Sequence, residues 1–434
     1  LATDQEVLGS NPSRRTKKMN ILNKKINKIL FFSFLIKLIF VIFFHEKFLS
    51  DEWGILFQNF NNFKSYSYYV FENQDIPSSY LPPLYLIFIY INKILSFGKI
   101  NFLYLIYFNQ ILISTFTVYL FYELCKNFLK ERFSLLGALI FSVFPLIVYS
   151  NGLISSACLQ LFFYLLFINL FLKIFTNNFS IKNLFFLAII SALTLILRGE
   201  FLIILLFSLI YITATNKRKV TQVISILTLT IILVSPYLVR NYINTGKLHL
   251  VNVTGYALWK GNNQFAKVEG FHNPLHPNSR EDWPKYKEFL GLYEKLDKID
   301  KDKKYEINRD KIFKEEAISN ITLDKKKYLV LYIKKIFSYY FLDINSSLKN
   351  YYNPAHVIPI LLFSICSIPG SIIGLKKIKD SKITYIFLLT CFLTSFIAIF
   401  FILPRYKISI ISSQILFSLF FFEYLFEKYI KKKS

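Results

Sequence analysis

The stretch Ile29–Phe44 reads ILFFSFLIKLIFVIFF, and a few residues later the chain continues Leu49-Ser50-Asp51-Glu52-Trp53. The first stretch carries a single charge, Lys37, and is expected to cross a membrane. The second places two adjacent carboxylates just beyond that span. Charges at membrane depth are costly unless they have a partner or a task, so the pair is a candidate functional site. The alternative is a solvated loop start beside a helix N-terminus.

The composition indicates a membrane protein with many spans. Of the 434 residues, 54% are hydrophobic, and Phe (48) and Tyr (29) are unusually abundant. Phenylalanine suits lipid-facing surfaces, and tyrosine suits the membrane interfaces. The formal charge of +25 comes mainly from lysine clusters between apolar runs. Such clusters are typical of cytoplasmic loops that face anionic lipid, so nucleic acid is not an expected partner.

No metal or disulfide framework is predicted. The four cysteines lie in or beside apolar runs without paired spacing, as small buried residues do. Glu269, His272 and His276 have ligand chemistry, but Pro274 and Pro277 interrupt the helix that would bring them together. We therefore predict no metal site here, and dependence on a divalent metal stays open.

The N-terminal residues differ from the rest of the chain. Residues 1–18 are polar and precede the only methionine, Met19. We expect them to be a non-native or disordered extension. From Met19 a basic flank precedes the first apolar run, which predicts a retained anchor with its N-terminus in the cytoplasm.

Ten full spans are predicted. After the first, the apolar runs are Phe102–Leu124, Phe133–Ser150, Leu153–Leu172, Leu184–Leu197, Phe201–Thr215, Val220–Pro236, His356–Leu375, Ile383–Leu403 and Ile408–Leu425. The basic clusters between them all fall on the cytoplasmic side only if the run Leu84–Phe97 does not cross fully. That run is short for a span, so we predict a juxtamembrane or half-inserted helix. The expected fold is an all-α polytopic membrane protein.

This topology divides the chain into three parts. Residues 19–236 form an N-terminal transmembrane module with an outer loop at 45–101, and residues 354–434 form the last spans. Between them, residues 237–353 are the one large hydrophilic segment and are expected to form a small extracytoplasmic domain. Within the outer loop, the mixed aromatic and polar residues 53–80 are expected to lie as a loop on the membrane surface.

The run from Leu184 to Thr215 is too long for one span and short for two. We expect two short helices that meet at Arg198-Gly199-Glu200. An arginine at that depth needs water, a partner or an anionic ligand, because the hydrocarbon disfavours its charge. The alternative is a plain Arg–Glu turn at the interface.

The predicted topology places several polar groups together on the outer side. They are the acid pair, the aromatic segment around Pro82-Pro83, and three arginines, Arg198, Arg240 and Arg405. Arginine holds phosphate through forked hydrogen bonds, and a carboxylate can accept a proton. Together they describe transfer of a group from a phosphate ester, and a lipid ester would require a site at the membrane edge.

This pattern resembles the membrane glycosyltransferases of the GT-C class, in particular the dolichyl-phosphate-mannose–protein mannosyltransferases and their bacterial relatives, which include the lipid A aminoarabinose transferases. The stretches that carry it are, in order, Asp51-Glu52, Tyr80-Leu81-Pro82-Pro83-Leu84-Tyr85, Ser235-Pro236 to Asn241-Tyr242 followed by Gly246, and Pro404-Arg405-Tyr406. Two positions depart from it. Leu105-Ile106-Tyr107 lacks an arginine that relatives often have, and Ser155-Ser156 stands where relatives often have Ser-Glu.

The resemblance implies a GT-C-like bundle that moves a sugar, with inversion, from a polyprenyl-phosphate-linked donor to an acceptor hydroxyl at the outer face of the cytoplasmic membrane. Asp51 would be the base and Glu52 would orient the acceptor, while the three arginines would bind the donor phosphate. Residues expected to line the cavity are Tyr80, Pro82, Pro83, Tyr85, Glu200, Asn241, Asn262 and Tyr406. The acceptor is a protein, a lipid or a glycan, and membrane lipids are further partners.

Two other classes fit part of the pattern. A transporter or flippase for lipid-linked sugars would also use arginines and a cavity, but it would more often show internal repeats. We find no such repeat in the sequence. A structural protein of an envelope complex would need no acid pair at the membrane edge.

Overall fold

The computed structural model describes residues 12–49, 51–72, 74–175, 180–269, 289–346, 348 and 351–430. These residues contain 17 α-helices and one two-stranded antiparallel sheet, so the fold is all-α, as predicted. The helices are α1 (Pro12–Phe43), α2 (Asp51–Phe63), α3 (Leu84–Leu95), α4 (Phe102–Lys126), α5 (Glu131–Val143), α6 (Pro145–Tyr149), α7 (Ala157–Leu172), α8 (Ile181–Leu195), α9 (Phe201–Thr215), α10 (Val220–Thr245), α11 (Thr254–Gly261), α12 (Leu290–Asp297), α13 (Tyr305–Leu323), α14 (Lys325–Tyr340), α15 (Pro354–Ile378), α16 (Ser381–Ile397) and α17 (Ile408–Leu425). The strands are β1 (Ser67–Phe71) and β2 (Gln74–Pro77).

Six helical segments are long and apolar enough to cross a membrane, so the chain is a polytopic integral membrane protein. They are Lys24–Phe43, Phe102–Lys126, Ala157–Phe175, Lys217–Thr245, Pro354–Ile378 and Pro404–Tyr429. The bent pair α5–α6 makes a seventh if it is one span, and α3, α8, α9 and α16 are shorter apolar helices. The ten predicted spans correspond to the six, the bent pair, and α8, α9 and α16. The predicted non-crossing run is the short helix α3.

The span predicted at Phe133–Ser150 is broken in the structure. α5 and α6 meet at an angle of 48°. Phe144 between them has extended backbone (φ −62°, ψ 125°), because it precedes Pro145 and a proline disfavours helical geometry in the residue before it.

Residues 53–80 do not form the surface loop that we predicted. Asp51 begins α2, in which Trp53, Leu56 and Phe57 recur at helical spacing and face a core shared with α3 and α4. The chain then forms the hairpin β1–β2. Polar side chains on the other face of α2 make its sequence look mixed, and this hides the helical period.

The predicted break between two short helices is confirmed. α8 ends at Leu195 and α9 begins at Phe201, with Arg198-Gly199-Glu200 between them. The backbone N–H of Leu84 donates to the carbonyl of Ile196 at 2.9 Å. The start of α3 is therefore tied to this break.

α10 continues beyond the boundary that we predicted at residue 236. Pro236 lies inside the helix, which ends at Thr245 and is followed by Gly246 with φ 75°. Glycine adopts this left-handed conformation without steric cost and commonly terminates helices. Arg240 and Asn241 are therefore carried on the last turns of α10.

The hydrophilic segment after α10 forms a small helical layer, α11–α14, with its own core around Tyr256, Trp259 and Phe313. The Nζ of Lys335 in α14 donates to the carbonyls of Gly261 (2.6 Å) and Phe400 (2.9 Å). The bond to Phe400 ties the layer to the segment between α16 and α17. We call the end of the bundle that carries α2, the hairpin and α11–α14 the loop end.

Gly261→Ala is expected to destabilise the contact between α11 and the segment after α16. A Cβ at Gly261 would lie 2.5 Å from the carbonyl carbon of Phe400 and from the nitrogen of Phe401. Overpacking of this kind costs about 1–3 kcal/mol, so the Tm in detergent should fall. The matched control is Gly291→Ala in α12, where a Cβ would meet no heavy atom within 4 Å. Equal Tm values for the two variants would contradict the close approach.

Candidate functional site

The acid pair opens α2. Asp51 is the first residue of the helix, and its side chain lies outside the described part of the structure. Glu52 is half-buried and accepts a hydrogen bond from the Tyr80 hydroxyl at 3.3 Å. Tyr80 is buried and stacks on Tyr68, with ring centroids 4.5 Å apart. Glu52 is therefore held against an aromatic cluster.

Arg198 lies at the break between α8 and α9. Its Nε–H donates to Glu200 Oε1 at 2.7 Å, and its Nη1–H donates to Ser156 Oγ at 3.5 Å. The Arg198 side chain is 27% exposed, and the charge of Glu52 acts on it. Ser156 belongs to the Ser-Ser pair that departs from the family pattern, and here it supplies a hydroxyl to the guanidinium. Arg198 and Glu52 thus share one environment at the loop end.

The third group of residues at this site lies in the turn before the last span. Residues Pro404–Lys407 form a 3₁₀-helix in which Arg405 is exposed and Tyr406 is half-buried. Tyr406 interacts electrostatically with Arg405, Arg198, Glu200 and Glu52. Three segments far apart in sequence therefore meet around Tyr406.

Lys260 of α11 also belongs to this group, and the sequence patterns did not reveal it. Its ammonium lies over the rings of Tyr256 (4.4 Å) and Phe401 (4.9 Å). Burial lowers the pKa of Lys260 to about 8. The positive charge of Arg405 also lowers this pKa, whereas the negative charge of Glu52 raises it. One lysine in a lysine-rich segment carries no local signal, so only the packing of α11 identifies it.

Among the described contacts, Arg240 is not brought to this group. Its guanidinium donates to the backbone carbonyls of Ser78 and Tyr66, the latter at 3.0 Å, and to Asn241 Oδ1 at 2.9 Å. Asn241 is buried and donates to the carbonyl of His249 at 2.8 Å. Arg240 thus holds the residues on either side of the hairpin against α10, and Asn241 holds the loop that follows α10. Phosphate binding by Arg240 stays a prediction.

Two of the residues expected to line a cavity are buried in packing contacts. Tyr85 is 0% exposed, donates to Gln110 Oε1 at 3.1 Å and packs against Trp53 with ring centroids 4.8 Å apart. Asn262 is buried, and its amide donates to the carbonyl of Ile399 at 2.8 Å. These contacts support the site from behind.

Three more of the eight predicted lining residues, Pro82, Pro83 and Glu200, are placed differently. Pro82 is buried and Pro83 half-buried, and Pro83 directly precedes α3. A proline fits there because the first N–H groups of a helix have no partner within it. The Glu200 side chain is 41% exposed and is paired with Arg198.

A buried acid of α13 fixes the loop that carries Tyr80. Glu306 accepts hydrogen bonds from the Ser78 hydroxyl and from the Ser79 N–H (2.8 Å). Burial raises the pKa of Glu306, although these hydrogen bonds oppose the shift. The Nε2 atom of His249 lies 2.7 Å from the Ser79 hydroxyl oxygen. Burial lowers the pKa of His249. The network orients Tyr80 toward Glu52, and no pattern in the sequence connects its members.

A cleft leads from Arg198 and Glu200 into the bundle. The cleft is narrow, with a free volume of about 30 Å³. The walls are mainly apolar and include Leu161, Ile204 and Phe396. A charged mouth on an apolar cleft suits a ligand with an anionic head and a hydrocarbon tail.

No group of three or more His, Cys, Asp or Glu side chains within the described ranges is arranged to hold a metal ion. His272 and His276 lie outside those ranges. Glu269 instead accepts a hydrogen bond from Ser338 and forms an ion pair with Lys407.

Comparison with solved structures identifies the class of fold. The archaeal oligosaccharyltransferase AglB from Archaeoglobus fulgidus, in complex with an inhibitory peptide and a dolichol-phosphate, matches 94% of this chain with a TM-score of 0.55 and 11% identity. The apo form of the Archaeoglobus fulgidus oligosaccharyltransferase gives a TM-score of 0.55 and 12% identity. The chain spans about half (51%) of the length of these structures. ArnT from Cupriavidus metallidurans, bound to undecaprenyl phosphate, gives a TM-score of 0.41 and 9% identity, covering 94% of this chain and 78% of ArnT.

The Archaeoglobus fulgidus oligosaccharyltransferase is a GT-C glycosyltransferase, and the protein has a GT-C-like fold. The fold expected from the four stretches of sequence is thereby confirmed. No family model and no curated protein sequence matches the chain. At these identities the likeness establishes the fold alone, because one fold can carry different activities.

Proposed function

We propose that the protein transfers a sugar from a polyprenyl-phosphate-linked donor to an acceptor hydroxyl at the outer face of the cytoplasmic membrane. One observation carries the proposal: the charge of Glu52 acts on both Arg198 and Lys260, the charge of Arg405 also acts on Lys260, and Arg198 lines an apolar cleft. The GT-C-like fold supports it, because AglB was solved with a dolichol-phosphate.

The phosphate and the hydrocarbon tail of the donor fit two parts of this site, the cationic side chains and the apolar cleft. Arg198 and Arg405 offer forked donors for the phosphate oxygens, and Lys260 adds a third positive charge. The cleft between α7, α9 and α16 would take the first part of the polyprenyl chain, since its walls are mainly apolar. The sugar would then lie between the cations and the acid pair.

The proposed reaction is a single displacement. Asp51 accepts the proton of the acceptor hydroxyl while the acceptor oxygen bonds to the anomeric carbon from the face opposite the phosphate. The bond from the anomeric carbon to the phosphate oxygen breaks, and the configuration inverts. The arginines stabilise the negative charge on the departing lipid phosphate. Glu52, held by Tyr80, orients the acceptor or adjusts Asp51.

The hydrophilic layer has a place in this proposal. Residues 237–353 would cap the site and help to select a protein, lipid or glycan acceptor. The modules at 19–236 and 354–434 would supply the acid pair, Arg198 and Arg405. Arg240 would act through the loop that it holds, in addition to any contact with the phosphate.

The test is reconstitution of the full-length protein in vesicles with a panel of undecaprenyl-phosphate-linked sugars. A transferase releases undecaprenyl phosphate and yields a glycosylated product, both measurable by mass spectrometry. A flippase would instead move the intact donor across the bilayer, and a structural protein would do neither. Either of these results would refute the proposed reaction.

The affinity for the donor is expected to fall as pH rises through about 8. Lys260 carries a positive charge below its pKa of about 8 and is neutral above it. A neutral amine no longer attracts the phosphate, so the donor KM should rise between about pH 7 and about pH 9. Lys260→Arg should remove this rise, because arginine stays charged throughout the range. An unchanged pH dependence in Lys260→Arg would exclude Lys260 as its origin.

A further inference from the structure

We propose that the buried ion pair between Glu269 and Lys407 positions Arg405 and Tyr406, and that it thereby sets the affinity of the site for the donor phosphate. This inference rests on the proposed function, in which Arg405 binds that phosphate. It assigns a role to a carboxylate outside the acid pair.

Both charges are withdrawn from solvent. Glu269 and Lys407 are each 1% exposed, and Lys407 Nζ lies 3.7 Å from Glu269 Oε1. The Glu269 carboxylate also accepts two hydrogen bonds. Its Oε1 accepts from the Ser338 hydroxyl at 2.7 Å, and its Oε2 accepts from the Tyr352 hydroxyl at 2.5 Å. Movement of either charge would leave its partner uncompensated in low-dielectric surroundings. The pair therefore favours a single arrangement.

The pair and its neighbours hold the turn that carries the site residues. Glu269 forms a parallel bridge with Ile402, just before the turn. Lys407, at the end of the turn, donates to backbone carbonyls in the last residues of α14, including that of Tyr339 at 3.2 Å. The Tyr339 hydroxyl donates to the carbonyl of Tyr406 at 2.9 Å. Residues 402–407 are thus fixed at both ends, and the bond to the Tyr406 carbonyl also fixes the segment between those ends.

Arg405 is the exposed charge between these fixed points. A guanidinium that stabilises a leaving phosphate is most effective when it needs no reorganisation, so the rigidity of its turn matters for its function. The described partners of Glu269 are Lys407, Ser338 and Tyr352 rather than the groups around Glu52. Glu269 is therefore a positioning residue.

A purely structural role is the competing explanation, since breaking any buried pair is destabilising. The chain offers a control with an equally buried carboxylate in Glu423 of α17. Glu423 is also 1% exposed, and its Oε2 lies 3.1 Å from the Nζ of Lys377, whose side chain is 40% exposed, while its Oε1 accepts from the N–H of Lys130 at 3.2 Å. It lies near the end of α17 that is opposite to the Arg405 turn. Loss of this pair should cost stability without disturbing the site.

The experiment compares full-length Glu269→Gln and Glu423→Gln with the wild type in reconstituted vesicles. The readouts are Tm, binding of undecaprenyl phosphate, and the donor KM and kcat for transfer. Both variants should have a lower Tm. Only Glu269→Gln should bind undecaprenyl phosphate about tenfold more weakly, the size expected when one charge-assisted contact is misplaced, with a matching rise in donor KM.

The double variant Glu269→Leu with Lys407→Met covers the case in which Glu269→Gln does not fold. Apolar replacement of a buried pair is often neutral or stabilising, so its Tm should approach the wild-type value while binding stays weak. Wild-type binding by this variant, or an equal loss in Glu423→Gln, would overturn the positioning role. If the wild type binds undecaprenyl phosphate but transfers no sugar, the proposed function fails and the binding comparison still decides this inference. No binding by the wild type would overturn both.

Discussion

Asp51→Asn is expected to lower the rate of sugar transfer by about 10²–10⁴-fold, the usual contribution of a positioned general base. Asparagine has nearly the same shape, but it cannot accept the proton of the acceptor hydroxyl. It is also a preferred residue at helix starts, so α2 should still form. The measurement is kcat with reconstituted protein and saturating donor, together with Tm and membrane insertion. Near-normal turnover would remove Asp51 from the mechanism.

Two further variants separate the roles within the acid pair. Glu52→Gln keeps an oxygen that can accept from the Tyr80 hydroxyl, so a purely orienting Glu52 predicts a smaller loss than Asp51→Asn. Glu72→Gln, at an exposed acid in the hairpin turn, is the matched control and should retain wild-type activity. A larger loss in Glu52→Gln than in Asp51→Asn would make Glu52 the base.

Arg198→Gln is expected to lower kcat by about 10²–10³-fold, the effect of removing one preorganised donor to a developing charge. The negative charge on the lipid phosphate grows as the sugar leaves, so Arg198 should act more on kcat than on donor KM. Arg198→Lys should recover part of the rate, because it retains the charge but loses the forked geometry. The measurement is kcat and donor KM for each variant.

The structural cost of Arg198→Gln should be small. Its ion pair with Glu200 is accessible to solvent, with side chains 27% and 41% exposed, and such pairs add little stability. The control is Arg218→Gln, an exposed arginine beyond the other end of α9. A comparable fall in kcat for Arg218→Gln, or wild-type kcat for Arg198→Gln, would exclude the proposed role.

The pattern of apolar runs and basic clusters was sufficient to predict an all-α polytopic fold. Such runs are readable because the hydrocarbon of a bilayer excludes charge and requires each backbone to satisfy its own hydrogen bonds. The break at Arg198-Gly199-Glu200 followed from length alone. Asp51-Glu52, Arg198 and Arg405 stood out because charges are rare at those depths.

Side-chain partners depend on contacts between segments far apart in sequence, and no local sequence pattern contains such contacts. Lys260 joined the site only through the packing of α11. Arg240, which the sequence analysis grouped with Arg198, is bonded to backbone carbonyls on either side of the hairpin. Helix α2 was missed because the polar side chains on its outer face concealed the helical period. By itself, the sequence determined the class of fold and which charges needed an explanation, because the membrane acts on each segment separately. The tertiary structure alone decided which of those charges meet, because that depends on how separate segments pack against one another.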